Sequence, residues 1–175
     1  LILSLVEGRK ILEVGCGIGS LTQFIEEDGY EVVALDTSLS CLSKAKQRGL
    51  RATFLHGDIT DKELCPKYVD DFDCAIMSDV LEHIASEDFA IRNISKVLKL
   101  NGTLILTVPA FDFLYSEIDK KIGHIRRYSK RGLIRKVESH GLTVEVCRYW
   151  NIPGLIGWFV MFRLLKRKLR DVSLG

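Results

Sequence analysis

Lys10-Ile11-Leu12-Glu13-Val14-Gly15-Cys16-Gly17-Ile18-Gly19 decides how this chain folds. Its first half is a short apolar run, and its second half carries a glycine at every other position. A five-residue segment with Ile11, Leu12 and Val14 apolar that breaks into glycines reads as a buried strand turning sharply into a helix. Glycine serves there because it accepts positive φ and lets the backbone approach a ligand. Ser20 to Asp28 continues with helical spacing, placing Leu21, Phe24 and Ile25 on one face, and Gly29 stops it.

The same alternation repeats downstream. Glu31 to Leu35 reads as a second strand, and Ser38 to Arg48 as a helix ended by Gly49, with Ser38 or Ser40 as cap. Ala52 to His56 and Phe72 to Met77 follow as strands, Glu87 to Leu100 as a helix ended by Asn101-Gly102, and Thr103 to Val108 as a fifth strand closed by Pro109. Strands separated by helices imply right-handed βαβ units and a parallel sheet. Runs such as Cys74-Ala75-Ile76-Met77 suit strands buried on both faces. The expected fold class is α/β, a three-layer α/β/α sandwich around a Rossmann-like, mostly parallel sheet. Beyond Pro109 the spacing predicts a helix over Phe111 to Ile122, a polar stretch over Gly123 to Lys130, a helix over Arg131 to His140 and a sixth strand over Leu142 to Tyr149. A seventh strand is missing from the pattern. Residues 1–149 are expected to form one domain. Residues 150–175 are expected to form an apolar and basic segment.

Composition limits the function. The 175 residues carry 47% apolar and 27% charged side chains with a formal net charge of +2. That is the balance of a soluble globular protein, and the charge is too small to point to nucleic acid. Five cysteines, with no CxxC pair, read as reduced thiols of a cytoplasmic protein.

The glycine turn alone does not identify a ligand. A dinucleotide fingerprint starting at Gly15 would need glycine at position 20, where Ser20 stands. Glu13 precedes the first glycine, and a carboxylate there repels a pyrophosphate but suits a cationic ligand with an amino group. Asp36 ends the second strand, where it can accept hydrogen bonds from ribose hydroxyls. Asp58 follows the third strand, placed to take the exocyclic amine of adenine, with Ile59 against the ring. Three carboxylates at the ends of successive strands make isolated loop caps an unsatisfactory account of all of them.

Ile11 to Gly19, Ala34-Leu35-Asp36, His56-Gly57-Asp58-Ile59, Asp71-Phe72-Asp73 and Leu100 to Leu104 together resemble the ordered motifs of class I S-adenosylmethionine (SAM) dependent methyltransferases, from about Leu5 to Tyr149. The resemblance implies SAM as cofactor. Glu13, Gly15, Cys16 and Gly17 would line its methionine part, Asp36 and Thr37 the ribose, and Asp58 and Ile59 the adenine. Ser78 and Asp79 follow the fourth strand, where the methionine end is expected.

The acceptor side is read from two segments. In Ser78-Asp79-Val80-Leu81-Glu82-His83-Ile84, His83 can act as a base or as a helix-start histidine. Asp79, Glu82 and His83 resemble the acid-x-x-Glu-His pattern by which some O-methyltransferases hold magnesium or manganese, with Asp79 standing where those families have Glu and His124 as a fourth ligand. Gly123-His124-Ile125-Arg126-Arg127-Tyr128-Ser129 resembles a stretch common in this broad group. His124 is a second candidate base, and Arg126, Arg127 and Tyr128 are candidate substrate residues, since arginine pairs bind carboxylate or phosphate. Equally, the arginines can fix the loop to acidic neighbours.

The expected reaction is methyl transfer to a small-molecule or lipid-linked acceptor, at oxygen. Two alternatives are a SAM-binding module without catalysis and a nicotinamide-dependent oxidoreductase; Glu13 and Ser20 argue against the latter. A nucleic acid acceptor is not expected, because no Asn-Pro-Pro-aromatic or Asp-Pro-Pro-aromatic motif follows the fourth strand. The apolar, aromatic and finally basic run from Trp150 suits a lid, a peripheral membrane contact or a homodimer contact.

Overall fold

The computed structural model describes residues 5–6, 8–62 and 67–150. Five strands form one parallel sheet: β1 (Lys10–Val14), β2 (Glu31–Asp36), β3 (Thr53–His56), β4 (Phe72–Ser78) and β5 (Leu98–Thr107). Their spatial order is β3-β2-β1-β4-β5. The chain therefore winds outward from β1 in one direction, then returns to its other side. That reversal between β1 and β4 is the point at which such sheets open a crevice at their carboxyl ends.

Successive residues of the central strands point to opposite faces, and each face has its own cover. Ile11, Val32, Ala34, Cys74 and Ile76 pack with Ile25 of α1 (Ser20–Glu27) and Leu42 of α2 (Leu39–Gln47). Leu12, Val14, Val33, Leu35 and Met77 pack with Ala90, Ile91, Ile94 and Val97 of α3 (Glu87–Val97). Three layers result, as expected from the alternation of strands and helices.

Several boundaries differ from the pattern reading. In α1 the buried residues are Thr22, Ile25 and Glu26, while Phe24 is 60% exposed. Thr22 and Glu26 turn inward because each has a polar task there. The Thr22 hydroxyl donates to Glu13, and Glu26 accepts the backbone N–H of Arg51. Strand β5 begins at Leu98, with Leu98 opposite Phe72 and Thr103 opposite Cys74. Asn101, at φ 65°, thus lies in an irregularity within the strand instead of a turn before it. Phe111 to Ile122 is broken into a single 3-10 turn at Asp112–Leu114 and the short α4 (Glu117–Lys121), which a Ser116 and Asp119 capping box starts. Helix α5 spans Lys130–Glu138. Leu142 to Tyr149, expected as a sixth strand, pairs with no strand among the described residues. An alternating pattern gives a strand only where a ladder partner meets it. The chain divides into two compact units after Val144. The expected apolar and basic segment lies, from residue 151, outside the described residues, as does the question of a seventh strand. No helix among the described residues is long and apolar enough to cross a membrane.

One buried polar contact ties the covering layer to the crevice. Asn93 of α3 is 6% exposed, and its side-chain amide donates to the carbonyl of Ile59 at 2.7 Å. Asn93→Ala leaves that buried carbonyl without this donor and should lower stability by about 1–2 kcal/mol in urea unfolding; an unchanged midpoint would show that the contact is not needed.

Candidate active site

Gly15, Gly17 and Gly19 all take positive φ (74°, 55° and 78°), so the turn after β1 needs residues without the Cβ penalty. At Gly15 the requirement is also spatial, because a Cβ would lie 2.4 Å from Val80 Cγ2. The turn is pinned to β2 by the N–H groups of Gly15 and Cys16, which donate to Leu35 O at 2.8 and 3.1 Å.

Carboxylates surround this turn. Glu13, in β1, is only 3% exposed and accepts from the Thr22 hydroxyl at 2.5 Å. Burial, opposed by that bond and aided by the nearby Asp36, pushes its carboxyl up to about 7. An acid held in such a place favours a bound cation over solvent. Asp36, at the end of β2, accepts from Gly17 N–H on one oxygen at 2.7 Å and from Ser38 N–H on the other at 2.8 Å. One oxygen of Asp58 accepts from the N–H and hydroxyl of Thr60, both at 2.8 Å. A carboxylate offers about four acceptor sites, so both aspartates keep capacity for further donors.

A cleft of about 340 Å³ opens at the β1/β4 switch point. Gly15, Asp36 and Asp58 line one part of its wall, and Val80, His83 and Ser86 another. Thr37 and Ile59 also reach it. Glu13, Cys16, Gly17, Ser78 and Asp79 do not form its lining. Cys16 is buried, its thiol pushed up to about 12 by burial and the neighbouring acids. The Ser78 hydroxyl pairs with that of Thr107 at 3.0 Å, and Asp79 N–H donates to Thr107 O. The contributions of Val80 and of Ile84 to Ser86 went unread in the sequence. They follow β4 directly, and that position was the only signal available.

Beside the cleft stand two histidines and a buried acid. Neither carboxylate oxygen of Glu82 receives a hydrogen bond, although its side chain is 1% exposed. His124 Nε2 lies 3.7 Å from Glu82 Oε1. Burial first, and Asp79 second, raise Glu82 to about 7. The rings of His83 and His124 meet edge to face, 4.8 Å between centroids. One ligand-type atom from each of Glu82, His83 and His124 lies within 4.8 Å of the others. Of the acid-x-x-Glu-His residues, Glu82 and His83 belong to this cluster and Asp79 does not. Asp79 sits in the left-handed region at φ 53°, held to Thr107, and His124 takes its place in the cluster.

The arginine pair is turned inward. Arg126 Nη1 lies 2.9 Å from Glu87 and donates to Ile84 O at 3.0 Å, and Nη2 donates to Ala85 O at 3.3 Å. Arg127 Nε donates to Asp119 Oδ1 at 2.7 Å. Tyr128 is 7% exposed and donates its hydroxyl to Glu87 at 2.6 Å. These groups fasten the loop to protein carboxylates and carbonyls, and they do not present an open anion-binding pair. Sequence alone could not assign Glu87 and Asp119 as their partners.

A doubly wound parallel sheet with a glycine turn and acids at the ends of its first three strands defines an α/β nucleoside-binding domain. The chain belongs to the family described as "Methyltransferase domain", whose model matches residues 1–146, within the class I SAM-dependent methyltransferase superfamily. It is similar to a ubiquinone biosynthesis O-methyltransferase of Alkalilimnicola ehrlichii, 31% identical over 58% of this chain and 42% of that protein. One of the same name from Escherichia coli is 23% identical over 93% of this chain and 65% of its own. The chain thus spans well under the full length of these relatives. A SAM-dependent methyltransferase structure from Mesorhizobium loti shares the fold, with a TM-score of 0.71 at 17% identity over 95% of this chain and 91% of that one. The family implies SAM as cofactor. The residues fit it: Glu13 is a buried acid next to the glycine turn, and Asp36 and Asp58 border a cleft of nucleoside size.

Proposed function

We propose that this domain binds SAM in the β1/β4 cleft and methylates an oxygen of a small-molecule or lipid-linked acceptor seated against His83 and His124. SAM supplies an activated methyl group on a sulfonium. Glu13 and the glycine turn hold the amino acid end, Asp36 with Thr37 the ribose, and Asp58 with Ile59 the adenine. Because the donor is already activated, the protein mainly supplies orientation. A hydroxyl acceptor must also lose a proton, and His124 takes it, with His83 beside it at the cleft. His83 Nδ1 lies 3.0 Å from Gly123 O, and since a carbonyl only accepts, Nδ1 carries the proton and Nε2 keeps its lone pair.

The observation that carries this reading is the base cluster on the rim of the cofactor cleft: His83 lines the cleft and touches His124. The names of the two relatives support an oxygen acceptor. The exposed Phe113, Ile122 and Ile125 support an apolar one. A second reading places a divalent cation at Glu82, His83 and His124, favoured by the two unpartnered Glu82 oxygens. Calorimetry with manganese decides it; no heat at millimolar metal removes it.

The test of function is methyl-labelled SAM incubated with pools of phenolic and lipid-linked alcohols. Turnover should appear with wild type and fall about a hundredfold in His124→Gln, with SAM affinity kept. Undiminished turnover in the variant would remove the base role. SAM binding without turnover on any pool would favour a non-catalytic module.

A further inference from the structure

Asp119 lies on α4, outside the cofactor cleft, yet its side chain is fully buried. Three donors and one histidine nitrogen reach it. Ser116 N–H and Ser116 hydroxyl bond Oδ2, each at 2.9 Å. Arg127 Nε bonds Oδ1 at 2.7 Å, and His124 Nδ1 stands 3.2 Å from the same oxygen. Arg127 and the two Ser116 donors surround the carboxyl with the partners that an ionised carboxylate requires in a buried place. An ionised carboxylate only accepts, so the His124 nitrogen facing it must carry a proton.

The backbone keeps this geometry in place. His124 N–H donates to Asp119 O at 2.8 Å, and Tyr115 OH donates to His124 O at 2.9 Å. The far ring nitrogen, Nε2, is then the one directed at Glu82 and the cluster with His83.

We propose that Asp119 is a positioning residue: through Nδ1 it fixes His124 in the tautomer whose Nε2 lone pair faces Glu82 and the cluster with His83, against which the acceptor is proposed to sit. The inference rests on the reading of His124 as a base. In that step the acceptor hydroxyl would give its proton to Nε2 as its oxygen bonds the methyl group, the methyl–sulfur bond of SAM breaks and S-adenosylhomocysteine leaves; the Asp119 carboxylate would stabilise the imidazolium formed. Removing such an orienting acid deprives a histidine base of its working tautomer even where the fold survives. Arg127 in turn holds Asp119, which gives the inward-facing arginine a place in the site that an anion contact does not explain.

The experiment is long-range proton–nitrogen correlation spectroscopy on the uniformly 15N-labelled full chain, without cofactor, at a pH where histidines are neutral. The His124 signals are assigned by their loss in His124→Gln. The expected result is a protonated Nδ1 and an unprotonated Nε2. A protonated Nε2 in wild type overturns the proposal without the need for any variant. Asp119→Asn keeps the shape and removes the charge, and the Nδ1–H preference should be lost while the affinity for S-adenosylhomocysteine stays within about twofold of wild type. A preference that survives Asp119→Asn also overturns it. Failure of wild type to bind S-adenosylhomocysteine would count against the functional reading, and it is recorded separately because the tautomer is measured without cofactor.

Discussion

Asp36→Ala should weaken binding of SAM and S-adenosylhomocysteine about a hundredfold in calorimetric titration. The residue works twice. Its carboxylate would accept the ribose hydroxyls, and each hydrogen bond to a charged acceptor contributes roughly 1.5–3 kcal/mol. It also accepts the Gly17 and Ser38 N–H groups, so it holds the glycine turn and the start of α2 in their places. Loss of about 3 kcal/mol corresponds to the hundredfold. An affinity within threefold of wild type would mean that the ribose is held elsewhere, and the cleft assignment would fall with it.

The second large effect is on stability and comes from two buried acids. Glu13 and Glu82 both have carboxyls raised from an ordinary 4.5 to about 7 by burial. Between those values the folded chain keeps protons that the unfolded chain releases. The unfolded state is then the one favoured by rising pH, so stability is fully present below about pH 4.5, falls as pH rises through 7 and levels off above it. Shifts of this size contribute on the order of 2–3 kcal/mol per carboxylate. Urea midpoints of the cofactor-free protein at about pH 5.5 and about pH 8, either side of the raised value near 7, should therefore differ, with the lower midpoint at pH 8. Glu82→Gln, which cannot ionise, should remove about half of the difference. A midpoint independent of pH would show that neither acid is protonated in the folded state. Cofactor affinity should rise over the same window, because a cationic amino group favours ionised Glu13.

The parts of the site that could be read in the sequence are those set by neighbours in the chain. Glu13, the glycines, Asp36 and Asp58 stand at strand ends, and a strand end followed by a turn leaves a local pattern. The three layers could be read for the same reason, since alternating strands and helices dictate how a parallel sheet is covered. What escaped depends on residues far apart in sequence. Thr22 displaces Phe24 from the buried face of α1 because Glu13, on another element, needs a donor. His124 joins His83 through a contact across the loop at Gly123. Arg126 and Arg127 look alike in sequence, yet one meets Glu87 on α3 and the other Asp119 on α4. Periodicity carries no information on such pairings. Leu142 to Tyr149 erred in the other direction, with an alternating pattern that found no ladder partner among the described residues.

The fastening of Arg126 to Glu87, Ile84 O and Ala85 O has a consequence for anyone who would exchange acceptor loops between related enzymes. Residues 110–129 are not an independent cassette. Their guanidinium and phenol anchors end on the wall of the cofactor cleft and on the first turn of α3, with Lys136 completing the set around Glu87. A chimaera that imports the loop without residues 84–88 leaves Arg126 and the Tyr128 hydroxyl without the Glu87 carboxylate they meet, and one that imports both carries its own docking site. On the acceptor role proposed for this loop, a change of substrate preference requires the exchange of two separated segments at once.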